Sequence, residues 1–326
     1  MQHLDVQVAE QALSWLQAGD TIWYCTVLST FGSSPREPGS VMVAKADGQH
    51  LGSLSGGCVE EDFLSRLQQG EFSERVRCER YGDARDPQRP QISLPCGGIL
   101  EVLIERLEPT PSHQRHLCEL VSILKGQQPM LRQISLQDGH CQFSPVTDNG
   151  GDRVQVSRAQ VSVRIGPARR LILAGLSSVS RICAGFAVTL GYEVIVCEPR
   201  EEEYQSFDLP GVRLETLMPS AYISKDGNCH AQTAVIAATH DPRIDDLAMI
   251  EAVKTGAFYI GVMGSRKTSD NRAARLMRSG GLSPEQVERI HMPIGLALGS
   301  KTPAEIALAI MADVLRVQRG IDRHDL

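Results

Sequence analysis

The sequence predicts an α/β protein of two parts, an N-terminal mixed α/β domain followed by a domain built on a doubly wound parallel sheet. Strands and helices alternate from residue 169 onward, which is typical of parallel β-α-β units. The residues before it combine β-branched strand segments with turn signals and amphipathic helix patterns. A length of 326 residues accommodates two domains of ordinary size.

Composition excludes several classes of protein. The formal charge of −6 is spread along the chain without a Lys/Arg block, so we expect no nucleic-acid partner. The apolar runs are of strand length and the first residues carry no leader pattern, which predicts no membrane association and no secretion. Nine cysteines, an odd number without any CxxC pair, indicate free thiols in the reducing cytoplasm.

The first domain is assigned to residues 1–110 and opens with a helix pattern over 4–18, ended by Gly19. A strand follows over 21–28, and Asp47-Gly48 marks a hairpin turn. A second helix pattern covers 59–67, and residues 99–104 read as a strand. We treat residues 111–168, with a helix near 112–125, as a connecting segment that belongs partly to the first domain.

The second domain is assigned to residues 169–326. Four apolar segments predict its strands, at 171–174, 192–197, 233–238 and 258–263. The last helix has a clear start, because Thr302 is a good N-cap residue, Pro303 suits the first position and Glu305 completes a capping box. Together these elements make the second domain Rossmann-like.

Two glycine-flanked cysteines are the most informative feature of the chain. One lies in Gly56-Gly57-Cys58 and the other in Cys96-Gly97-Gly98. Glycines leave the sulfur unobstructed and let backbone amides turn toward a ligand. Glu60 is near enough in sequence to affect the ionisation of Cys58. The alternative is a pair of tight turns with cysteines that serve only packing.

The first turn of the second domain departs from a dinucleotide-binding fingerprint. Gly175 occupies the first glycine position, but Ser177 stands at the second and Ser180 at the third. Glu198, at the end of the next strand, is placed to accept ribose hydroxyls. The sequence leaves open a weakened NAD(P) site or a Rossmann domain that is structural only.

Three further segments are candidates for binding a ligand or an anion. His240 follows a strand end, the edge where open α/β sheets bind ligands. Ser265-Arg266 opens a helix after another strand, and Arg36 lies in a hydroxyl- and glycine-rich loop over residues 32–39. Ordinary surface loops with solvated charges are the alternative in each case.

These segments together resemble the xanthine dehydrogenase accessory proteins, the XdhC/CoxI family. The resemblance runs in family order from about residue 10 to residue 315. It rests on Gly32-Ser33-Ser34-Pro35-Arg36, Ser55-Gly56-Gly57-Cys58-Val59-Glu60, Cys96-Gly97-Gly98, Thr239-His240-Asp241 with Asp245, Gly264-Ser265-Arg266, Pro293-Ile294-Gly295-Leu296 and Lys301-Thr302-Pro303-Ala304-Glu305. The chain departs from the family pattern at Ser177, where glycine is usual, and at Pro95, before the second motif cysteine.

The resemblance implies a cytoplasmic chaperone that binds molybdenum cofactor (molybdopterin), assists its sulfuration by a cysteine desulfurase and delivers it to a xanthine dehydrogenase-type molybdenum hydroxylase. Cys58 and Cys96 match the motif cysteines and become the candidates for contact with molybdenum. We expect both sulfurs to open onto a shared cleft facing the second domain, and a homodimer is compatible with the sequence. The alternatives are an NAD(P)-dependent oxidoreductase and a scaffold that bridges desulfurase and client.

Overall fold

The computed structural model describes residues 4–31, 36–82, 98–126, 128–146 and 153–323. Contacts divide the chain into two compact units, one formed by Leu4–Pro167 and the other by the chain from Ala168 onward. The segment 111–167, assigned above to a connection, therefore packs with the N-terminal unit. No helix among the described residues is long and apolar enough to cross a membrane.

The N-terminal unit contains two antiparallel sheets among its described residues. The first has five strands in the order β3-β2-β1-β5-β4, and the second has four in the order β7-β6-β9-β8. The helices and strands of this unit are α1 (Leu4–Gln17), β1 (Ile22–Phe31), β2 (Val41–Lys45), β3 (His50–Gly52), α2 (Cys58–Gln68), β4 (Val76–Tyr81), β5 (Ile99–Leu107), α3 (Pro111–Lys125), β6 (Met130–Ser135), β7 (Cys141–Pro145), β8 (Val154–Val156) and β9 (Gln160–Ile165). The hairpin predicted at Asp47-Gly48 is confirmed, because β2 and β3 pair antiparallel around it.

The five-stranded sheet is covered on both faces by different elements. On one face, Val59 and Phe63 of α2 pack with Val102 and Ile104 of β5. Leu103 points the opposite way, because successive side chains of a strand alternate, and packs with residues of the four-stranded sheet. Helix α2 and the second sheet therefore lie on opposite faces of β5.

The C-terminal unit has six parallel strands in its described residues. Their order is β12-β11-β10-β13-β14-β15. Its elements are β10 (Arg170–Ala174), α4 (Ser178–Thr189), β11 (Glu193–Cys197), α5 (Glu201–Gln205), β12 (Val212–Glu215), α6 (Pro219–Ile223), β13 (Thr233–Ala237), α7 (Pro242–Ala252), β14 (Tyr259–Val262), α8 (Arg266–Arg278), α9 (Pro284–Glu288), β15 (Ile290–His291) and α10 (Pro303–Gln318). The parallel doubly wound sheet predicted from the sequence is confirmed.

Packing on both faces of this sheet explains its nearly continuous apolar strands. Leu171 and Leu173 of β10 pack with α4 and α10, whereas Ile172 and Ala174 pack with α6 and α7. The predicted capping box of α10 is also present, with Thr302 and Glu305 bonded reciprocally. Strand order reverses between β10 and β13, which makes the carboxyl ends of these two strands the place where such folds bind ligands.

Candidate functional site

The thiol of Cys58 is displayed at the first residue of α2. Gly56 precedes it with a φ of 91°, a left-handed conformation that glycine adopts without strain. A Cβ added at Gly57 would meet no atom within 4 Å, so there is open space beside the helix start. Cys58 itself is exposed. A soft sulfur donor is therefore accessible from solvent at the first residue of a helix whose position is fixed by packing.

The carboxylate of Glu60 holds the loop that leads to Cys58. Its Oε1 accepts hydrogen bonds from the Ser53 hydroxyl at 2.5 Å and from the amides of Leu54, Ser55 and Gly56 at 2.8, 2.9 and 3.0 Å. Its Oε2 accepts from the Ser55 hydroxyl at 2.6 Å and from the Gly57 amide at 3.0 Å. Six donors from consecutive loop residues thus converge on one side chain.

These bonds determine the charge state of Glu60. Burial alone would raise the pKa of this carboxyl group, but the hydroxyls of Ser53 and Ser55 and the loop amides outweigh burial and hold the pKa well below its usual range. The amides of Gly56 and Gly57, expected from the sequence to face a ligand, donate to Glu60 instead. Glu60 is therefore a positioning residue, and the group left to contact a ligand is the Cys58 thiol.

The second motif cysteine, Cys96, lies outside the described residues together with Gly97. The predicted shared cleft and the predicted metal contact of Cys96 therefore stay predictions. Gly98 is described and lies buried directly before β5. Arg36 is half-buried and interacts with other parts of the chain, while residues 32–35 before it lie outside the described ranges. Across the described ranges no group of three or more His, Cys, Asp or Glu side chains could hold a metal ion.

The backbone amides of the turn from β10 into α4 have hydrogen-bond partners within the protein. Ser177 and Ser180, which replace the second and third fingerprint glycines, form a reciprocal capping box. The Ser177 amide donates to Ser180 Oγ at 2.7 Å, and the Ser180 amide donates to Ser177 Oγ at 3.1 Å. The Leu176 amide donates to Glu198 Oε2 at 2.6 Å. Three backbone donors near a pyrophosphate position are thereby engaged inside the protein.

Glu198 is fully buried at the end of β11. Arg200 donates to both of its carboxylate oxygens, at 2.8 and 2.7 Å, and also to the Leu176 carbonyl oxygen at 2.8 Å. Burial would raise the pKa of Glu198, but the bonds from Arg200 and the Leu176 amide lower it overall. The guanidinium group of Arg200 therefore bonds to the two carboxylate oxygens of Glu198 that were expected to accept hydrogen bonds from a ribose.

Gly175 brings this turn against the end of β13. Its φ is 83° and a Cβ there would lie 2.3 Å from Thr239 Cγ2 and 3.7 Å from Glu198 Oε2. Only glycine fits such a close approach without displacing its neighbours. Of the predicted site residues in this unit, Gly175, Glu198 and the loop of His240 are therefore neighbours at the strand-order reversal.

The loop after β13 is held by a second buried acid. Asp245, with no exposed surface, accepts from the Thr239 hydroxyl at 2.6 Å and from the His240 amide at 3.1 Å. His240 is exposed and has a φ of 67°, a conformation that costs a non-glycine residue on the order of 1 kcal/mol or more. Strain of this kind persists where the surroundings enforce it, which supports His240 as a functional candidate.

Ser265 and Arg266 begin α8 beyond the end of β14. The Ser265 hydroxyl caps the helix by accepting from the Thr268 amide at 3.2 Å. Arg266, the next residue, is exposed. An exposed cation therefore stands at a capped helix start, as the sequence predicts for this segment.

Two arginines of this unit have structural roles that sequence reasoning did not assign. Arg272 connects α8 with the end of β14 and with α7, because its guanidinium donates to the Met263 carbonyl at 2.8 Å and lies 3.4 Å from Asp245. Arg200 reaches from the end of β11 to the turn before α4. Their contacts with Asp245 and with Leu176 join residues that are distant in the chain, so no local pattern indicates them.

Comparison with known proteins places the two units in one family. A model described as the XdhC Rossmann domain matches residues 171–314, and one described as the XdhC and CoxI family matches residues 15–82. A probable xanthine dehydrogenase subunit of Bacillus subtilis is 27% identical over 319 residues, covering 91% of this chain and 93% of that protein. The molybdenum cofactor insertion chaperone PaoD of Escherichia coli is 27% identical over 307 residues, covering 94% of this chain and 86% of that protein.

A solved structure shows the same fold. The crystal structure of a xanthine dehydrogenase from Bacillus halodurans matches with a TM-score of 0.73 at 20% sequence identity, covering 100% of this chain and 98% of that chain. At this identity the likeness establishes the fold alone.

Proposed function

The chain belongs to the XdhC and CoxI family, and we propose that it binds molybdenum cofactor and delivers it to a xanthine dehydrogenase-type molybdenum hydroxylase. The observation that carries this proposal is the exposed Cys58 thiol at the start of α2, directly after a loop whose amides are bonded to Glu60. A thiolate is a soft ligand that suits a sulfur-coordinated molybdenum centre. The name of the relative PaoD, a molybdenum cofactor insertion chaperone, supports the same function.

The donor set fits such a cargo. Cys58 offers a sulfur atom with open space beside it at Gly57, and nothing within 4 Å would be displaced there. Cys96 is proposed as the second sulfur contact on the strength of its motif. The bonds that Glu60 accepts fix the backbone before Cys58, so little backbone ordering accompanies binding.

We further propose that a cysteine desulfurase is the second partner and supplies the sulfur with which the cofactor is sulfurated on this chaperone. Free thiols are consistent with work in a reducing cytoplasm, and the eight described cysteines are all free. Pull-down of the desulfurase and of the client enzyme by the loaded protein tests these partners, and light scattering tests the homodimer.

Retention of the cofactor tests the main proposal. Cys58→Ala and Cys96→Ala should each lower the molybdenum and pterin that copurify with the protein by about tenfold or more, as expected for loss of a direct ligand. Cys118→Ala is the matched control, because Cys118 is also exposed and lies on a helix of the same unit. Equal retention in wild type, Cys58→Ala and Cys96→Ala would refute the role of the two sulfurs.

A further inference from the structure

A separate cavity of about 420 Å³ lies in the N-terminal unit, where β5 ends and α3 begins. Its wall includes Glu105, the start of α3 and the turn between β6 and β7. Glu105 lies an odd number of positions from Val102 and Ile104, so it faces away from α2 and Cys58. The volume falls within the range of about 300–1,000 Å³ that small-molecule sites occupy. The cavity is therefore distinct from the Cys58 loop.

His116 lines this cavity and carries a neutral hydrogen-bond donor. Arg132 Nε donates to His116 Nε2 at 3.1 Å. Because an arginine does not lose its proton, Nε2 must be the acceptor and the ring proton must be on Nδ1. Burial and the charge of Arg132 lower the pKa of His116 to about 2, so the ring stays neutral. Within the described residues, His116 Nδ1 has no hydrogen-bond partner, and it is not fully buried.

The acids of the cavity wall already have partners. Glu105 forms a bidentate pair with Arg132, with N–O distances of 2.8 and 2.9 Å. Glu108 lies 3.0 Å from Arg106. Asp138 accepts from the His140 amide at 3.0 Å within its own turn. Arginines therefore neutralise Glu105 and Glu108, and Asp138 is bonded within its own turn.

One cation of the wall has no such partner. Arg75 is exposed at the rim, and its guanidinium makes no ion pair or hydrogen bond with any other described residue. The Ser112 hydroxyl, also in the wall, likewise has no partner in the described ranges. Residues with a charged donor, a neutral imidazole donor and a hydroxyl thus line one cavity, and all three groups complement an oxyanion.

We propose that this cavity binds a small organic molecule carrying an oxyanion, either a phosphate monoester or a carboxylate. Arg75 supplies the charge, and His116 Nδ1 and the Ser112 hydroxyl supply hydrogen bonds to the oxygens. The cavity is larger than an inorganic anion needs, so the rest of the ligand fills the space beside these donors. This site is independent of the proposed cofactor-binding function.

Calorimetry with three ligands that share one ring tests the proposal. Phenyl phosphate, benzoate and phenol are titrated into the full chain at fixed ionic strength. We expect at least one of the two anions to bind and phenol not to bind. Arg75→Ala and His116→Phe should each weaken the anion about tenfold, as loss of a charged or buried hydrogen bond does. Stronger binding of phenyl phosphate or of benzoate then tells which oxyanion the site takes.

Two controls keep the result specific. Arg158→Ala removes the same charge from an exposed position of the same unit outside the cavity wall and should leave affinity unchanged, as should Cys58→Ala. If His116→Phe unfolds, Ser112→Ala takes its place, with an expected weakening of a few-fold. Equal binding in Arg75→Ala and Arg158→Ala, binding of phenol as tight as that of the anions, or no binding at millimolar concentration would overturn the proposal.

Discussion

The loop before α2 and the turn before α4 both bond their backbone amides within the protein, but they leave different groups exposed. Each carries glycine, each leads into a helix, and each donates to a buried carboxylate, with four backbone amides bonded to Glu60 in one and the Leu176 amide bonded to Glu198 in the other. Before α2 the result leaves the Cys58 thiol exposed. Before α4, the Leu176 amide is bonded to Glu198 and the amides of Ser177 and Ser180 are bonded within their reciprocal cap, while Arg200 covers the Leu176 carbonyl oxygen. Both loops therefore engage their own backbone amides, and the side chain left uncovered decides the chemistry.

The largest expected effect comes from replacing Glu60, the acid of α2 that holds the preceding loop. Glu60→Gln keeps the shape of the side chain but cannot accept the same six bonds, and its amide hydrogens face donors. We expect the free energy of unfolding to fall by roughly 2–4 kcal/mol, the size of several charge-assisted bonds lost together. Denaturant unfolding measures this loss. Glu61→Gln is the control, since Glu61 lies exposed on the same helical turn.

The pH dependence of the same variant sharpens the test. The folded-state pKa of Glu60 is lowered, so its ionised form contributes stability that is complete above the unfolded-state pKa of about 4.3 and is lost as pH falls below it. Wild type should therefore lose more stability than Glu60→Gln between neutral pH and about pH 3. Parallel acid-unfolding curves for the two proteins would show that Glu60 does not hold the loop.

A third loop, before α8, tests whether anion binding in the C-terminal unit uses an exposed cation. If Arg266 binds the phosphate of the cofactor, Arg266→Ala should weaken cofactor retention by about tenfold without unfolding the protein. Arg36→Ala tests the candidate of the N-terminal unit separately, with the same expected effect. Arg278→Ala is the control, because Arg278 is exposed at the other end of the same helix. Retention unchanged in both variants would leave these arginines without a role in cofactor binding.

The smallest effect is expected at the turn before α4. Ser177→Ala removes an N-cap acceptor and should cost about 1 kcal/mol of stability, whereas Ser178→Ala, at an exposed neighbouring position, should cost little. With its amides engaged, this turn should bind NAD or NADP more weakly than a fingerprint with all three glycines. Submicromolar binding of either dinucleotide by calorimetry would contradict the difference drawn between the two loops and would favour an oxidoreductase.

Much of the fold follows from local patterns. The apolar strands of the C-terminal unit, the capping box at Thr302 and the hairpin at Asp47-Gly48 depend on neighbours in sequence, and all three are confirmed. The fold of residues 111–167 is harder to predict from the sequence, because the strands of the second sheet are short and half-polar. Their place is set by contacts distant in the chain, such as the pair of Arg132 with Glu105.

The candidate site could be located from the sequence, but its hydrogen bonding could not. The motif identified Cys58 and Glu60, and spacing placed both at one helix start. The direction of the Gly56 amide depends on a φ of 91° and on a carboxylate that faces back along the chain, neither of which a sequence pattern specifies. Likewise, Arg200 lies two residues from Glu198, yet only packing shows that it covers the Leu176 carbonyl.

Alkylation of individual cysteines tests the central claim most directly, because each molecule carries its own controls. Cys58, Cys78 and Cys118 are all exposed and all lie in the N-terminal unit. The protein is treated with iodoacetamide with and without bound molybdenum cofactor, and labelling at each cysteine is read by mass spectrometry. The account predicts that the cofactor protects Cys58 while Cys78 and Cys118 react equally in both samples. Equal labelling of Cys58 with and without the cofactor would contradict it.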